Sequence, residues 1–247
     1  MKPAKPAAEM TTAELAAYID HSILKPEFTP DEVRREVRAA IDYGCRTVCI
    51  NTASIEVAAP MCRGTVTGVC AVVDFPFGTS TTASKAAQAK LAVEAGIDEL
   101  DVVANYGWIR AGEMDRVEAD LRAVVEVCHA TGVTVKTIFE TDALSEEQIR
   151  ATAEAAIAAG SDFIKTSTGF YTGEPQHAAP GASDEMVALM MEAAAGRCLV
   201  KGSAAIRDRD HFLRLIDAGI DRMGIGYRST PVVLGLSGGA GIDGTGY

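Results

Sequence analysis

No apolar run in this sequence approaches the roughly 18 residues that a membrane-spanning helix requires. The opening stretch MKPAKPAAEMTT carries two lysines but no apolar segment behind them, so no secretory signal is expected and the expected location is cytoplasmic. Six cysteines (Cys45, Cys49, Cys62, Cys70, Cys128 and Cys198) form no CxxC pair, and His21, His129, His177 and His211 form no HExxH-type pair. The expectation is reduced, mostly buried thiols and no metal site. Positive charge is scarce as well: 23 Lys and Arg against 34 Asp and Glu leave a formal charge of −11. That balance opposes nucleic acid and anionic membranes as partners, because both select a basic surface. An anionic small molecule would need a local cluster of positive groups.

What the sequence has in quantity is alternation. Short β-branched runs occur at Ile19 to Leu24, Thr47 to Asn51, Val66 to Val73, Glu99 to Ala104, Thr134 to Phe139, Phe163 to Ser167, Cys198 to Gly202 and Arg222 to Gly226. Stretches of helical period lie between them, at about 30–43, 52–60, 80–95, 113–130, 145–159, 183–195 and 207–218, with a weaker one after 228. The junctions EAGIDEL, AAGSDFI and DAGIDRM repeat one pattern, in which a helix ends at glycine, a polar residue follows and a strand begins. Thr29, Ser145 and Ser183, each followed by acids, supply helix N-caps. Eight such units in a chain of 247 residues predict a single-domain (β/α)₈ barrel over residues 14–234. Residues 1–13 are expected to be a flexible segment, and the glycine-rich 235–247 (GLSGGAGIDGTGY) a flexible tail.

Barrels of this kind carry their chemistry at the C-terminal ends of the strands, which reduces the search to eight short windows. Asp101, Lys136, Lys165 and Lys201 are the charged residues there, with Glu140 just beyond Lys136. Strand alternation puts Lys165 with Phe163 and Ser167 on one face, and Lys201 with Leu199 on one face of the next strand. Two ammonium groups about 6 Å apart at an effective dielectric of about 20 repel by roughly 3 kcal/mol, or about two pKa units. One of them would then be a neutral amine near neutral pH, as Schiff-base chemistry requires. Two blander readings stay open: the lysines are phosphate or carboxylate contacts, or each is paired with an acid such as Asp101 or Glu140.

The segments IDHSILKP (19–26), DFPFGTST (74–81), ELDVVANYG (99–107), DFIKTSTGF (162–170) and VKGSAAIRD (200–208) resemble the deoxyribose-phosphate aldolase family, in order, from about residue 14 to 228. KTSTG is the most specific of them. The resemblance implies a class I aldolase, a lyase of carbohydrate and nucleoside catabolism on the (β/α)₈ fold. It further implies a homodimer or higher homo-oligomer that uses neither metal nor organic cofactor.

Carried over residue by residue, the family's Schiff-base lysine falls on Lys165, its second lysine on Lys201 and its aspartate on Asp101. Tyr247 resembles a tail tyrosine that assists proton transfer in some members. The implied reaction cleaves 2-deoxy-D-ribose 5-phosphate to D-glyceraldehyde 3-phosphate and acetaldehyde, and runs in reverse. The implied substrate contacts are Asp20, Cys49, Thr168, Gly169, Ala204, Ala205, Arg207, Gly226 and Arg228.

Two loops depart from the family. Its usual Gly-Gly reads Ala204-Ala205 here, and the serine-containing loop after strand eight reads Gly224-Ile225-Gly226-Tyr227-Arg228-Ser229. The added methyls are expected to crowd an approaching phosphate, and Tyr227 to narrow the pocket. Arg228 with Arg207 is one expected replacement for the backbone cradle. The alternatives are the same chemistry on a different or non-phosphorylated aldehyde pair, and a barrel that binds a sugar phosphate without catalysis.

Overall fold

A computed structural model describes residues 3–236. Eight parallel strands, β1 (Ile19–Ile23), β2 (Thr47–Asn51), β3 (Gly68–Val73), β4 (Glu99–Val103), β5 (Thr134–Ile138), β6 (Phe163–Lys165), β7 (Leu199–Ser203) and β8 (Arg222–Gly226), follow one another around a closed barrel. β8 pairs back onto β1 with Asp20 opposite Gly224. Ten described helices surround it: α1 (Thr12–Ala16), α2 (Pro30–Tyr43), α3 (Ile55–Cys62), α4 (Thr82–Glu94), α5 (Tyr106–Arg110), α6 (Met114–His129), α7 (Glu146–Ala159), α8 (Asp184–Ala194), α9 (Arg209–Ala218) and α10 (Thr230–Val233). None of the described helices is long and apolar enough to cross a membrane.

Local chemistry explains why the elements start and stop where they do. Thr29 and Ser145 close capping boxes with Glu32 and Gln148, satisfying N–H groups that a helix start leaves without partners. The three repeated junctions turn through glycines in the left-handed region, Gly96, Gly160 and Gly219. The aspartate two residues after each glycine has a second task. Asp98, Asp162 and Asp221 accept the backbone N–H of Val69, Val135 and Val200, at 2.7, 2.7 and 2.9 Å. Each therefore ties its own junction to the start of a neighbouring strand, β3, β5 or β7. The Gly-x-Asp repeat is a set of clamps at the N-terminal rim of the barrel.

β3 begins at Gly68 rather than at Val66, which is 78% exposed in the preceding turn. Near the N-terminus, Ala7 is buried and its N–H donates to Asp217 on α9 at 2.7 Å. The main apolar core lies between strands and helices. The barrel interior differs in kind, because Lys136, Lys165 and Lys201 are among the largest fully buried side chains. Ions take the place of the branched aliphatic layers that usually fill such a barrel.

Candidate active site

Strand register builds the site. Lys165 on β6 lies directly opposite Lys201 on β7, and Asp101 on β4 opposite Lys136 on β5. All four side chains point inward and all are buried. A single oxygen, Asp101 Oδ2, accepts from Lys165 Nζ and from Lys201 Nζ, at 2.8 Å each. Lys136 Nζ holds the other oxygen of Asp101 at 2.9 Å and Glu99 at 2.6 Å. Lys201 also reaches Asp20 at 2.5 Å, and Arg222 bridges Asp20 at 2.6 Å to Glu99 at 3.1 Å. Asp20 is thus enclosed by Lys201, Arg222 and the Thr47 hydroxyl, which donates at 2.8 Å.

The expectation that like-charge repulsion neutralises one lysine of the Lys165–Lys201 pair meets a network in which Lys201 is held as the ammonium. Burial alone would lower the Lys201 ammonium, but Asp101 and Asp20 override it and hold it above its ordinary range. Lys136 is raised in the same way, with Asp101 the chief carboxylate acting against burial. Burial would raise the Asp101 carboxyl, yet the ammoniums of Lys136, Lys165 and Lys201 keep it well below the usual carboxylate range. Asp20 is likewise lowered against its burial, by Lys201 and Arg222. The three lysines differ in their partners. Lys136 and Lys201 each touch two or more carboxylates, whereas Lys165 is ion-paired, among the described residues, with Asp101 alone.

Beyond β6, the Thr166–Gly169 turn is held from β5. Thr141 and Ser167 share a hydrogen bond at 2.9 Å, and Glu140 accepts both the hydroxyl and, at 3.3 Å, the N–H of Thr168. Glu140 sits in the left-handed region with φ 60°. Burial pushes its carboxyl up to about 7 against the two Thr168 contacts. Glu140 is not the lysine ion-pair partner that one reading of the sequence offers; among the described residues its hydrogen bonds go to Thr168.

An apolar cluster adjoins the buried charges, where the Cys70 thiol donates to Asp101 at 3.1 Å. Leu24, Cys49, Cys70 and Val72 form a cluster of their own, capped by Phe75 and Phe170. Of these, sequence reasoning named only Cys49 as a site residue. Of the others, Leu24, Phe75 and Phe170 carried a signal in the segments that follow β1, β3 and β6, within the motifs ILKP, DFPF and STGF. The Cys49 thiol, hydrogen-bonded to Cys70, is drawn below its ordinary range. Among the described residues, two sets of potential metal ligands have donor atoms within 4.8 Å of one another: Cys49, Cys70 and Asp101, and Asp20, Cys70 and Glu99. Every carboxylate in them already neutralises a lysine or arginine, so a cation there would compete with a buried ammonium or guanidinium.

Next to the lysine cluster opens a cavity of about 290 Å³. Six of the expected substrate contacts line it: Gly169, Ala204, Ala205, Arg207, Gly226 and Arg228. Ala204 and Ala205 both lie in the left-handed region, at φ 72° and 62°. Two consecutive left-handed alanines cost about 1–2 kcal/mol each, which explains why glycine is the easier residue in this turn. The turn is also tightly packed, since a Cβ on Gly181 would lie 2.7 Å from the Ala204 carbonyl oxygen. Tyr227 does not narrow the cavity as expected. Its ring packs edge-on against Phe28 at 5.1 Å, and it is absent from the lining. Asp20 and Cys49 lie inside the barrel rather than along the cavity, and Thr168 is buried beside it. Tyr247 falls outside the described residues.

Comparison with known proteins identifies relatives of the whole barrel. Residues 15–237 match the model of the DeoC/LacD family of aldolases. The chain is 41% identical over 212 residues to a deoxyribose-phosphate aldolase of Exiguobacterium, covering 85% of this chain and 92% of the relative. Among solved structures, it superposes on an aldolase called QR15 with a TM-score of 0.80 and 34% identity, covering 90% of this chain and 95% of the other. It also superposes on the tetrameric deoxyribose phosphate aldolase of Aeropyrum pernix with a TM-score of 0.81 and 28% identity, covering 91% of each chain.

Proposed function

The chain belongs to the DeoC/LacD family of aldolases, and from that premise we propose that Lys165 is the amine with which it cleaves 2-deoxy-D-ribose 5-phosphate. The products are D-glyceraldehyde 3-phosphate and acetaldehyde, and the enzyme runs the addition in reverse. One observation carries the reading: a single carboxylate oxygen of Asp101 touches both Lys165 and Lys201 at the edge of a cavity lined by a left-handed turn and two arginines.

Charge balance favours Lys165 as the nucleophile. The buried cations Lys136, Lys165, Lys201 and Arg222 face Asp20, Glu99 and Asp101, with the exposed Arg46 reaching Glu99 only at 3.8 Å, so the buried part of the fully ionised cluster carries one positive charge in excess. Releasing one proton removes that excess. From Lys165 this breaks one ion pair, while from Lys136 or Lys201 it breaks two or more.

The neutral amine adds to C1 of the open-chain sugar, and loss of water from the carbinolamine gives an iminium. Asp101, in contact with both nitrogens, is placed to carry protons between Lys201 and the reacting oxygens. Removal of the C3 hydroxyl proton turns that C–O bond into a carbonyl and breaks C2–C3. The bonding pair passes into the iminium and leaves an enamine on Lys165. Protonation at C2 and addition of water then release acetaldehyde and restore the amine. We assign the protonation at C2 to Tyr247. The 5-phosphate fits the cavity beside Ala204 and Ala205, with Arg207 and Arg228 supplying the local positive charge that a chain of net charge −11 otherwise lacks.

Borohydride reduction in the presence of acetaldehyde, followed by peptide mapping, tests the assignment. The expected result is an ethyl group on Lys165, and a labelled lysine elsewhere refutes it. We further propose a homodimer or higher homo-oligomer located in the cytoplasm; the tetrameric relative from Aeropyrum supports the oligomer, and a monomeric mass in light scattering overturns it.

A further inference from the structure

Among the described residues, three buried side-chain atoms have no hydrogen-bond partner: His21 Nε2, Arg222 Nε and Ser203 Oγ. His21 is on the outer side of β1, bonded to Thr230 and edge-on to Tyr43, and Arg222 is engaged with Asp20 and Glu99. Ser203 is different because of where its hydroxyl points. It follows Lys201 by two residues on β7, so both face the barrel interior. Directly across on β8 stands Gly224. A Cβ there would lie 2.6 Å from Ser203 Oγ and 3.4 Å from Lys201 Cε. Glycine at this position keeps open a space that the hydroxyl and the lysine share.

The backbone of Ser203 is fixed at both polar groups. Thr166 Oγ1 donates to its carbonyl and accepts from its N–H, each at 2.9 Å. Thr166 is the residue after Lys165, so Ser203 is held in register with the reactive amine itself. On its other side follow Ala204 and Ala205, and Gly224 and Ala204 both line the cavity. The hydroxyl thus lies between the Lys165, Asp101 and Lys201 cluster and the anion cavity. It is 1% exposed, as Lys165 is. A buried hydroxyl without a partner is destabilising, and its retention calls for a reason.

Resting on the aldolase reading above, we propose that Ser203 is a specificity-determining residue whose hydroxyl hydrogen-bonds the C4 hydroxyl of the open-chain sugar phosphate. With C1 on Lys165 and the phosphate in the cavity, the C3 hydroxyl belongs to the proton-transfer groups. C4 carries the one remaining polar group of the substrate, and it falls along the stretch of β7 that Ser203 occupies. A serine hydroxyl both donates and accepts, so it is complementary to another hydroxyl in either orientation. In the synthetic direction, the residue selects acceptor aldehydes hydroxylated at the carbon next to the carbonyl.

The test measures addition of acetaldehyde to D-glyceraldehyde 3-phosphate and to 3-oxopropyl phosphate, which lacks that hydroxyl. Ser203→Ala is expected to cut the preference for the hydroxylated acceptor, as a ratio of kcat/KM values, about tenfold, the effect of one hydrogen bond. Ethylation of Lys165 by acetaldehyde and borohydride shows that the variant site is intact; if it fails, Ser203→Cys, of similar volume, is measured on the same pair. Equal losses on both acceptors would mean a structural role and overturn the proposal, as would an unchanged preference. A parent enzyme inactive with both acceptors would instead remove the aldolase reading on which the proposal rests.

Discussion

Replacing Glu140 with glutamine is expected to change how stability depends on pH. Glu140 is buried at the end of β5, where burial outweighs two Thr168 contacts and pushes its carboxyl up to about 7 from an ordinary 4.5. Between those values the native state keeps a proton that the unfolded chain has released. The stability this proton confers is complete below about 4.5 and is lost as the pH rises through about 7. At about 1.36 kcal/mol per pH unit, the loss amounts to about 3 kcal/mol. Glu140→Gln has no such proton to lose. Its stability relative to the parent is therefore expected to rise by about 3 kcal/mol between about pH 4.5 and pH 8. The amide's own contact with Thr168 cancels in this comparison, because it is the same at both pH values. Urea denaturation of both proteins at the two pH values, followed by the fluorescence of Trp108, measures the change. A parent-to-variant difference that stays constant with pH would refute the account of Glu140.

The other predictions concern the buried cluster, the cavity and the tail. Asp101→Asn leaves three ammonium groups short of a carboxylate and is expected to lower stability by about 3–5 kcal/mol in urea denaturation, as well as abolishing measurable cleavage. Arg228→Ala is expected to raise KM for 2-deoxyribose 5-phosphate about tenfold, the loss of one charge-assisted contact, with a smaller effect on the unphosphorylated sugar; equal effects on both would remove Arg228 from the phosphate site. Ala204→Gly and Ala205→Gly relieve left-handed strain of about 1–2 kcal/mol each and lose about 0.5–1 kcal/mol to the greater freedom of the unfolded chain. A small rise in Tm is expected, and a fall would contradict the strained geometry. Tyr247→Phe is expected to slow deuterium exchange into the methyl group of acetaldehyde, and an unchanged exchange rate would exclude the tail from protonation at C2.

Much of the fold was legible because its signals are local. The Gly-x-Asp junctions, the Thr29 and Ser145 caps and the β-branched runs each depend on a few neighbouring residues, and they locate the eight βα units without reference to the rest of the chain. The direction of Lys165 and Lys201 was legible for the same reason, since alternation along a strand needs no partner. Tyr227 shows where such reasoning stops. Its place in the loop after β8 suggested a narrowed cavity, but the side chain turns to Phe28, contributed by a segment some 200 positions away in the chain. The apolar cluster of Leu24, Val72, Phe75 and Phe170 was missed for a related reason, as ordinary hydrophobic residues carry no mark of function until the segments that bear them converge.

By itself, the sequence determined the order of the βα units, the strand ends at which Asp101, Lys165 and Lys201 would meet, and a family resemblance with its expected chemistry. Only the tertiary structure decided which carboxylate holds which lysine. It brought Asp20 to Lys201 across 181 residues and Asp101 to Lys165 across 64. It also left the Ser203 hydroxyl without a partner among the described residues and gave Glu140 its raised carboxyl. The physical reason is that charge interactions vary with separation and burial, and in a closed barrel both are set by the register between strands distant in sequence.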